Sequence, residues 1–304
     1  MSKVKVGVVG AGLMGDHHVR IYSTLKEAKL IGLYDSDPSR SQEVASRYSC
    51  VSYPDLAALS ASVDALSIAS PTSTHYSVAL DLLNAGKHLL IEKPITLDVH
   101  QAEELCSLAH KRGLVVAVGM IERFNPAIMR TASLLKRELL LGLTFKRFSP
   151  YPERINDASV VMDVMIHDLD LALSLAGVEL DTYKSTGRVV RSSSPDEAEA
   201  LLYFKDGLIA RVLASRVKDQ KERSLQAITD RSIYEIDLLN KTVQVRSFSS
   251  LSDRSQVEVK SADQLTLELK DFLSAIAKGR EPEVPCTAGL KSLRVALGVE
   301  NQIC

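Results

Sequence analysis

Two side chains that could together move a proton stand four residues apart. Asp163 and His167 lie in a stretch whose apolar spacing predicts a helix, so both are expected on the same side of it. A carboxylate beside an imidazole orients the ring and raises its basicity. Histidine titrates near neutral pH, so His167 could accept a proton from a hydroxyl. The alternative is a structural pair at a helix start; Asp168 points away from His167, and Asp170 is expected to cap or pair locally.

A lysine stands where an α/β sheet places its ligands. Lys93 follows Glu92 at the end of the apolar run HLLIE, which predicts a buried strand with these two residues at the carboxyl edge of the sheet. Pro94 keeps the lysine out of helical geometry. A lysine aimed at a hydroxyl would stabilise a developing alkoxide. The alternative is a solvated lysine at a strand end.

A GxGxxG pattern lies between a predicted strand and a predicted helix, the context that a dinucleotide site requires. Its glycines would permit a tight turn, admit a pyrophosphate and let helix pack on strand, while the helix N-terminus offers free N–H groups. Asp35 follows the last glycine by twenty residues and could accept both ribose hydroxyls, which favours NAD; Arg40 keeps NADP possible. The alternative is a glycine turn without a ligand. The predicted turn residues are Gly10, Gly12, Leu13, Met14 and Gly15.

The elements that would position these residues form two different patterns. Through residues 1–120, short β-branched runs alternate with amphipathic stretches, which predicts a dinucleotide-binding domain built on a parallel sheet with crossover helices. Residues 121–304 combine helical stretches with alternating strands and a hairpin turn at Lys205-Asp206-Gly207. They predict an α/β domain with a large, mostly antiparallel open sheet. The last helix is expected either within this domain or packed back on the first.

Composition excludes several classes of partner. The 304 residues are 45% hydrophobic with a formal net charge of -1, so no cationic field attracts nucleic acid. No export signal and no apolar run of about 20 residues is present, which predicts a cytoplasmic protein without membrane contact. The cysteines lack CxxC spacing and nearby histidines, so neither a metal site nor a disulfide framework is expected. These cysteines are Cys50, Cys106, Cys286 and Cys304.

Together, GAGLMG, AGKHLLIEKP and the Asp-x-x-x-His segment resemble the Gfo/Idh/MocA oxidoreductases over nearly the whole chain. The resemblance implies a Rossmann domain, an α/β domain whose open sheet often forms an oligomer interface, and NAD as cofactor. It assigns the catalytic lysine to Lys93, the general base to His167 and the supporting acid to Asp163. It also implies further contacts near the nicotinamide end of the cofactor, from Ser70, Pro71, Thr72, His75, Glu92 and Lys93.

A narrower resemblance concerns the substrate. GMIERFNPA, SPYPERIND and VVMDVMIHDLDL are similar to the branch that contains UDP-N-acetylglucosamine 3-dehydrogenases. Residues 121–154 hold seven Lys or Arg and three acids, a net charge of +4 that suits a diphosphate. Candidate substrate contacts are Arg123, Asn125, Arg154 and His167. Tyr151 could stack on uracil, although packing is the alternative for this ring.

Other functions remain open at this level. One is a dehydrogenase of a free sugar, inositol or another polyol, and another is a non-catalytic sensor of dinucleotides or sugars on the same fold. Pterin- or bilin-type reduction is a further possibility, although an oriented histidine suits hydroxyl oxidation better. A homodimer or homotetramer through the C-terminal sheet is expected.

Overall fold

The computed structural model describes residues 3–151, 158–250 and 254–303, which form two compact units. The first unit contains the residues up to Ile121 together with Asp263–Leu290. The second contains Glu122–Ala262 and the residues from Lys291 onward. The segment Asp263–Leu290 therefore groups with the first unit, whereas the sequence analysis placed it in the second domain, with packing of the last helix on the first as an option.

Strands and helices alternate in the first unit and separate into longer runs in the second. The strands are β1 Val4–Val9, β2 Ala28–Tyr34, β3 Val51–Ser52, β4 Ala65–Ile68, β5 His88–Glu92, β6 Val116–Gly119, β7 Leu140–Phe148, β8 Leu180–Arg188, β9 Glu197–Phe204, β10 Ile209–Ser215, β11 Glu222–Thr229, β12 Ser232–Asp237, β13 Thr242–Ser247 and β14 Arg254–Val257. The α-helices are α1 Leu13–Thr24, α2 Pro38–Tyr48, α3 Leu56–Ser62, α4 Thr72–Asn84, α5 Val99–Arg112, α6 Pro126–Leu135, α7 Ile166–Ala176, α8 Gln264–Lys278 and α9 Cys286–Ile303. A 3-10 helix covers Ile121–Phe124, and a π-helix covers Val161–Met165.

The first unit is built on a six-stranded parallel sheet with the order β3-β2-β1-β4-β5-β6. The runs ALSI in β4 and LLIE in β5 are buried throughout, as expected for parallel strands covered on both faces. The predicted Rossmann architecture is therefore confirmed. Its carboxyl edge brings together the segments that follow β1, β2, β4 and β5.

Helix α8 joins the first unit because its apolar face completes that unit's core. Leu269 and Phe272 are buried in the same cluster as Val19 and Tyr22 of α1. Asp263 caps α8 by accepting hydrogen bonds from the N–H and the hydroxyl of Thr266. The helical pattern was evident in the sequence, but its packing partner was not, since an amphipathic face does not specify what covers it.

The second unit is built on an eight-stranded sheet with the order β14-β13-β12-β11-β7-β10-β9-β8. Every neighbouring pair is antiparallel except β7 with β10, so the predicted mostly antiparallel sheet is confirmed. The predicted hairpin joins β9 to β10, and Gly207 has the positive φ of 92° that its turn requires. Burial alternates along β9, where Ala198, Ala200 and Leu202 face the core.

One sequence expectation about the cysteines is wrong. Cys106 of α5 and Cys286 at the start of α9 form a disulfide, with their Cα atoms 5.6 Å apart. They are separated by 180 residues, so their spacing in the chain carried no sign of the pairing. A bridge between Ala117 and Pro285 brings the two segments together. Among residues 3–151, 158–250 and 254–303, we find no helix with the length and apolarity needed to cross a bilayer.

Candidate functional site

The glycine turn after β1 has the geometry of a dinucleotide cradle. Gly10 has φ of 100°, and a Cβ on Gly15 would overlap the carbonyl oxygen of Gly10. A Cβ on Gly12 would meet nothing within 4 Å, so the space beside its backbone is open. No side chain caps the N-terminus of α1, which leaves its first N–H groups able to bind an anion. These features fit a bound pyrophosphate, and Leu13 and Met14 lie in the same turn.

Asp35 lies beside this turn, just after β2. Its Oδ2 accepts a hydrogen bond of 2.6 Å from the N–H of Ala11, and its Oδ1 accepts one of 2.8 Å from the N–H of Asp37. Each carboxylate oxygen has a second lone pair, so Asp35 can hold the turn and still accept hydroxyl groups. Asp37 in turn caps α2 and pairs with the exposed Arg40.

The segments that follow β4 and β5 lie at the same edge of the sheet of the first unit. Ser70, Pro71 and Thr72 follow β4, and Lys93 follows β5 through a cis peptide bond to Pro94. Because β4 and β5 are adjacent, this edge brings the predicted cofactor turn and the predicted catalytic lysine side by side. Lys93 is half-buried.

Two of the residues that were predicted to contact the cofactor are buried in the structure. Glu92 is buried, with its Oε1 3.1 Å from Nε2 of His18 and its Oε2 accepting from the N–H of Lys93. His75 is 1% exposed, and both of its ring nitrogens lie at backbone carbonyl oxygens. The polar atoms of both side chains are thus engaged within the first unit. Their contact with the cofactor stays a prediction.

Asp163 and His167 lie on consecutive helical segments of the second unit. Asp163 belongs to the π-helix Val161–Met165, and His167 is the second residue of α7. The π-helix therefore interrupts the single α-helix on which the predicted shared face depended, and such insertions are frequent at functional sites. Both side chains are half-buried and engaged in interactions.

Buried ion pairs hold α7 on both sides of His167. Asp168 accepts two hydrogen bonds, of 3.0 and 2.6 Å, from the guanidinium of Arg147, which also donates to Glu122 at 2.9 Å. Asp170 accepts two, of 2.6 and 2.8 Å, from Arg123. At about 100° per residue, Asp168 and Asp170 project on opposite flanks of the direction in which His167 projects. The two bidentate pairs thus fix the rotation of the helix that carries the imidazole.

These charges alter one another's titration. Burial lowers the pKa of Arg147, but the carboxylates of Asp168 and Glu122 together raise it by more, so the net shift is upward. Burial raises the pKa of Glu122, and the charge and hydrogen bonds of Arg147 reverse that effect, leaving the pKa below its usual value. Burial raises the pKa of Asp168, and the charge and hydrogen bonds of Arg147 only partly offset that effect, so its net shift is upward. Arg147 and Glu122 therefore favour their charged forms, whereas burial opposes the charge of Asp168.

The structure revises two candidate substrate contacts in this region. Asn125 is fully buried: it caps α6 through the N–H of Ala127 and donates to Glu122 and to the carbonyl of Leu238. Asn125 thus acts as a helix cap whose polar atoms are engaged within the protein, and its contact with substrate stays a prediction. Arg123 places its guanidinium on Asp170, with 12% of its side chain exposed, so a phosphate would compete with a bidentate carboxylate.

The remaining candidates, Tyr151 and Arg154, follow β7 in the chain. The guanidinium of Arg191 lies 4.6 Å from the ring centroid of Tyr151, and that of Arg216 lies 5.9 Å away. The Tyr151 ring is half-buried and packs against these two guanidinium groups, and its stacking on uracil stays a prediction. Arg154 lies outside the described residues. Arg216 itself is fully buried and pairs with Asp196 at 2.8 Å.

The predicted catalytic residues are divided between the units, with Lys93 in the first and Asp163 and His167 in the second. The ionic network around α7 was missed at the sequence level. A signal for it existed: Arg147 has the same parity along β7 as Leu143 and Phe145, which face the core. A basic residue in an inward register needs a buried acidic partner.

Comparisons with known proteins agree with this architecture. Residues 4–120 match a family model described as an oxidoreductase family with an NAD-binding Rossmann fold, and residues 142–235 match a GFO/IDH/MocA C-terminal domain. A UDP-N-acetylglucosamine 3-dehydrogenase from Acidithiobacillus ferrooxidans is 36% identical over 98% of this chain and 97% of its own length. A crystal structure of an enzyme of that name and organism covers 100% of this chain and 98% of its own, with a TM-score of 0.94 at 35% identity.

A more distant relative extends the same pattern. The scyllo-inositol 2-dehydrogenase (NAD(+)) of Bacillus subtilis is 25% identical over 98% of this chain and 94% of its own length. The Rossmann domain, the glycine cradle and the matches over both units identify an enzyme with an NAD-binding domain. The chain belongs to the Gfo/Idh/MocA family of oxidoreductases.

Proposed function

We propose that this enzyme oxidises a secondary hydroxyl of a sugar with NAD, and that its substrate is the 3-hydroxyl of UDP-N-acetylglucosamine. The observation that carries the proposal is the 36% identity, over nearly the full length of both chains, to a UDP-N-acetylglucosamine 3-dehydrogenase. The products are the 3-keto nucleotide sugar, NADH and a proton.

Each catalytic residue has a role that its chemistry supports. His167 accepts the hydroxyl proton, and Asp163 orients the imidazole and raises its basicity. The ammonium of Lys93 stabilises the oxygen as it gains negative charge. NAD, when bound, supplies the acceptor for the hydride that leaves the same carbon. The glycine turn with Gly10, Gly12 and Gly15 holds its pyrophosphate, and Asp35 holds the ribose.

Recognition of the nucleotide requires cationic donors. Arg154 remains our candidate for binding the diphosphate. Arg123 would bind it only if its guanidinium released Asp170. The alternative substrate, a free sugar or polyol, is supported by the full-length similarity to an inositol dehydrogenase. A non-catalytic sensor is the alternative from another class.

The test is NADH formation by the purified enzyme with UDP-N-acetylglucosamine, N-acetylglucosamine and scyllo-inositol as separate substrates. We expect turnover with the nucleotide sugar and a slower rate when carbon 3 carries deuterium. His167→Ala should lower kcat by about 10²–10⁴-fold, the usual contribution of a general base. His100→Ala, which removes an exposed histidine of α5, is the matched control. Equal NAD reduction by His167→Ala and the wild type would reject the catalytic assignment.

We also propose that the protein acts in the cytoplasm as a homodimer or homotetramer, joined through the exposed face of the eight-stranded sheet. Ile209 on β10 is 45% exposed on this face. Ile209→Arg should lower the mass measured by light scattering, because it places a charge in the interface. Val51→Arg, an equally exposed apolar position of the first unit, serves as control and should leave the mass unchanged.

A further inference from the structure

A buried histidine connects the turns that follow β4 and β5. His75 lies in the first turn of α4 and is 1% exposed. Its Nδ1 is 2.9 Å from the carbonyl oxygen of Pro94, and its Nε2 is 2.9 Å from the carbonyl oxygen of Ser70. A carbonyl only accepts hydrogen bonds, so the ring is the donor in this bridge. One side chain thus spans two turns that carry predicted site residues.

Backbone pairing between the two strands ends before it reaches these turns. The last paired residues of β4 and β5 are Ile68 and Ile91, and Ser70 and Pro94 lie beyond them. Lys93 follows the last residue of β5 that pairs with β4 by two positions. Beyond this last pair, the imidazole of His75 contacts both turns.

The surroundings of the ring determine how it can donate. Burial lowers the pKa of His75, and the carbonyls of Pro94 and Ser70 raise it, as does the charge of Glu92; the net shift is downward. A neutral imidazole carries one N–H, so it donates to one of the two carbonyls and only packs against the other, whereas a protonated ring donates to both. Glutamine offers its donors from a single nitrogen, and leucine offers none.

We propose that His75 is a positioning residue for the dehydrogenase reaction: by linking the backbone at Pro94 to the backbone at Ser70, it sets the position of Lys93 relative to the cofactor turn. The inference rests on the proposed function, in which the Ser70-Pro71-Thr72 turn borders the cofactor and Lys93 faces the reacting hydroxyl. His75 touches neither substrate nor cofactor and acts through the main chain. Its importance follows from the steep dependence of rate on the placement of a reacting group.

The first experiment separates an effect on the chemical step from an effect on cofactor binding. His75→Leu should lower kcat by about 10- to 100-fold, the cost of misplacing a catalytic group by the order of 1 Å. The Kd for NAD should change much less than kcat. His75→Gln, which restores one donor, should recover part of the rate, and His100→Leu on the exposed face of α5 should leave it unchanged. A loss that appears mainly as a raised Kd for NAD would instead make His75 a cofactor contact.

The second experiment asks whether His75 acts through Lys93. In a Lys93→Met background, His75→Leu should cause little further loss of kcat, because the group that it positions is gone. Equal losses in both backgrounds would mean that His75 acts independently of Lys93 and would overturn the proposal. Melting temperatures of all variants identify any that fail to fold, and His75→Gln retains the test if His75→Leu is one of them.

A third measurement does not depend on turnover. Amide hydrogen exchange of the unliganded protein should accelerate in residues 69–74 and 92–97 of His75→Leu, while the opposite end of the sheet is unaffected. Unchanged exchange in these segments would overturn the bridge itself. If the wild type oxidised none of the three substrates while this exchange difference appeared, the proposed function would fail and the bridge would stand.

Discussion

Buried carboxylates occur in both units, but their charges are compensated differently. In the second unit, Asp168 and Asp196 are each joined to a buried arginine by hydrogen bonds. In the first, both carboxylate oxygens of Glu268 are buried without a hydrogen-bond partner among the described residues. An ion pair has a preferred geometry and can orient a helix, whereas an uncompensated carboxyl lowers its cost by taking up a proton. The pair of Arg147 with Asp168 accordingly holds the helix of His167.

The largest effect is expected where a buried pair is broken. Asp168→Asn should lower the free energy of unfolding by about 3–5 kcal/mol, because Arg147 loses its bidentate partner in a buried site. Urea unfolding monitored by circular dichroism measures the change. The triple variant Glu122→Gln/Arg147→Met/Asp168→Leu should recover much of the stability, since it removes all three charges of the network. Equal losses in the single and triple variants would show that the ion pairs themselves are not responsible.

The buried carboxyl of Glu268 should make the free energy of unfolding depend on pH. Burial, followed by the charges of Glu92 and Asp271, raises the pKa of Glu268 well above its usual value. Its contribution to stability is therefore present below the pKa of the unfolded chain, near 4.3, and is lost as pH rises through the folded value. Between the unfolded and the folded pKa of Glu268, the free energy of unfolding of the wild type should fall relative to that of Glu268→Gln, by up to about 1.4 kcal/mol for each pH unit.

Urea unfolding at a series of pH values between about 5 and 8 tests this expectation. Asp98→Asn, at an exposed helix cap of the same unit, controls for the loss of one carboxylate. Parallel stability curves for Glu268→Gln and the wild type would mean that Glu268 does not titrate with a raised pKa in the folded protein.

Removing a helix cap should lower the free energy of unfolding by an intermediate amount, and by more for a buried cap than for an exposed one. Asp98 caps α5 at the surface, whereas Asn125 caps α6 in the interior and also bonds the carbonyl of Leu238. Asp98→Ala should cost about 1 kcal/mol, the usual loss for a cap. Asn125→Ala should cost about 1–3 kcal/mol more, because the buried carbonyl of Leu238 and the carboxylate of Glu122 lose the hydrogen bonds that Asn125 donates. Equal costs in urea unfolding would contradict the buried role of Asn125.

The smallest effect is expected for an exposed ion pair of the second unit. Lys205 lies 2.7 Å from Glu179, and both side chains are more than half exposed. Water and salt screen this attraction, so Lys205→Met should leave the unfolding midpoint in urea within experimental error. A measurable loss would show that an exposed pair also stabilises this protein, and that burial is not the reason why the loss of Asp168 has a large effect.

The amino-acid sequence alone determined the elements and the type of site. Periodicity specified the parallel and antiparallel halves, and the glycine turn specified a dinucleotide cradle. The spacing of Asp163 and His167 placed both on helical segments, but not the π-helix that holds Asp163. These features are local: each depends on backbone preferences and on residues within a few positions of one another. They could therefore be inferred before any packing was known.

Only the tertiary structure decided which polar groups meet. Arg123 and Asn125 were expected at a ligand but bond Asp170 and Leu238 within the protein, and His75 was expected at the cofactor but bridges two turns. Composition could not reveal the disulfide of Cys106 either. Such contacts join residues far apart in the chain, and their energy depends on burial, which a charge or a spacing in the sequence does not specify.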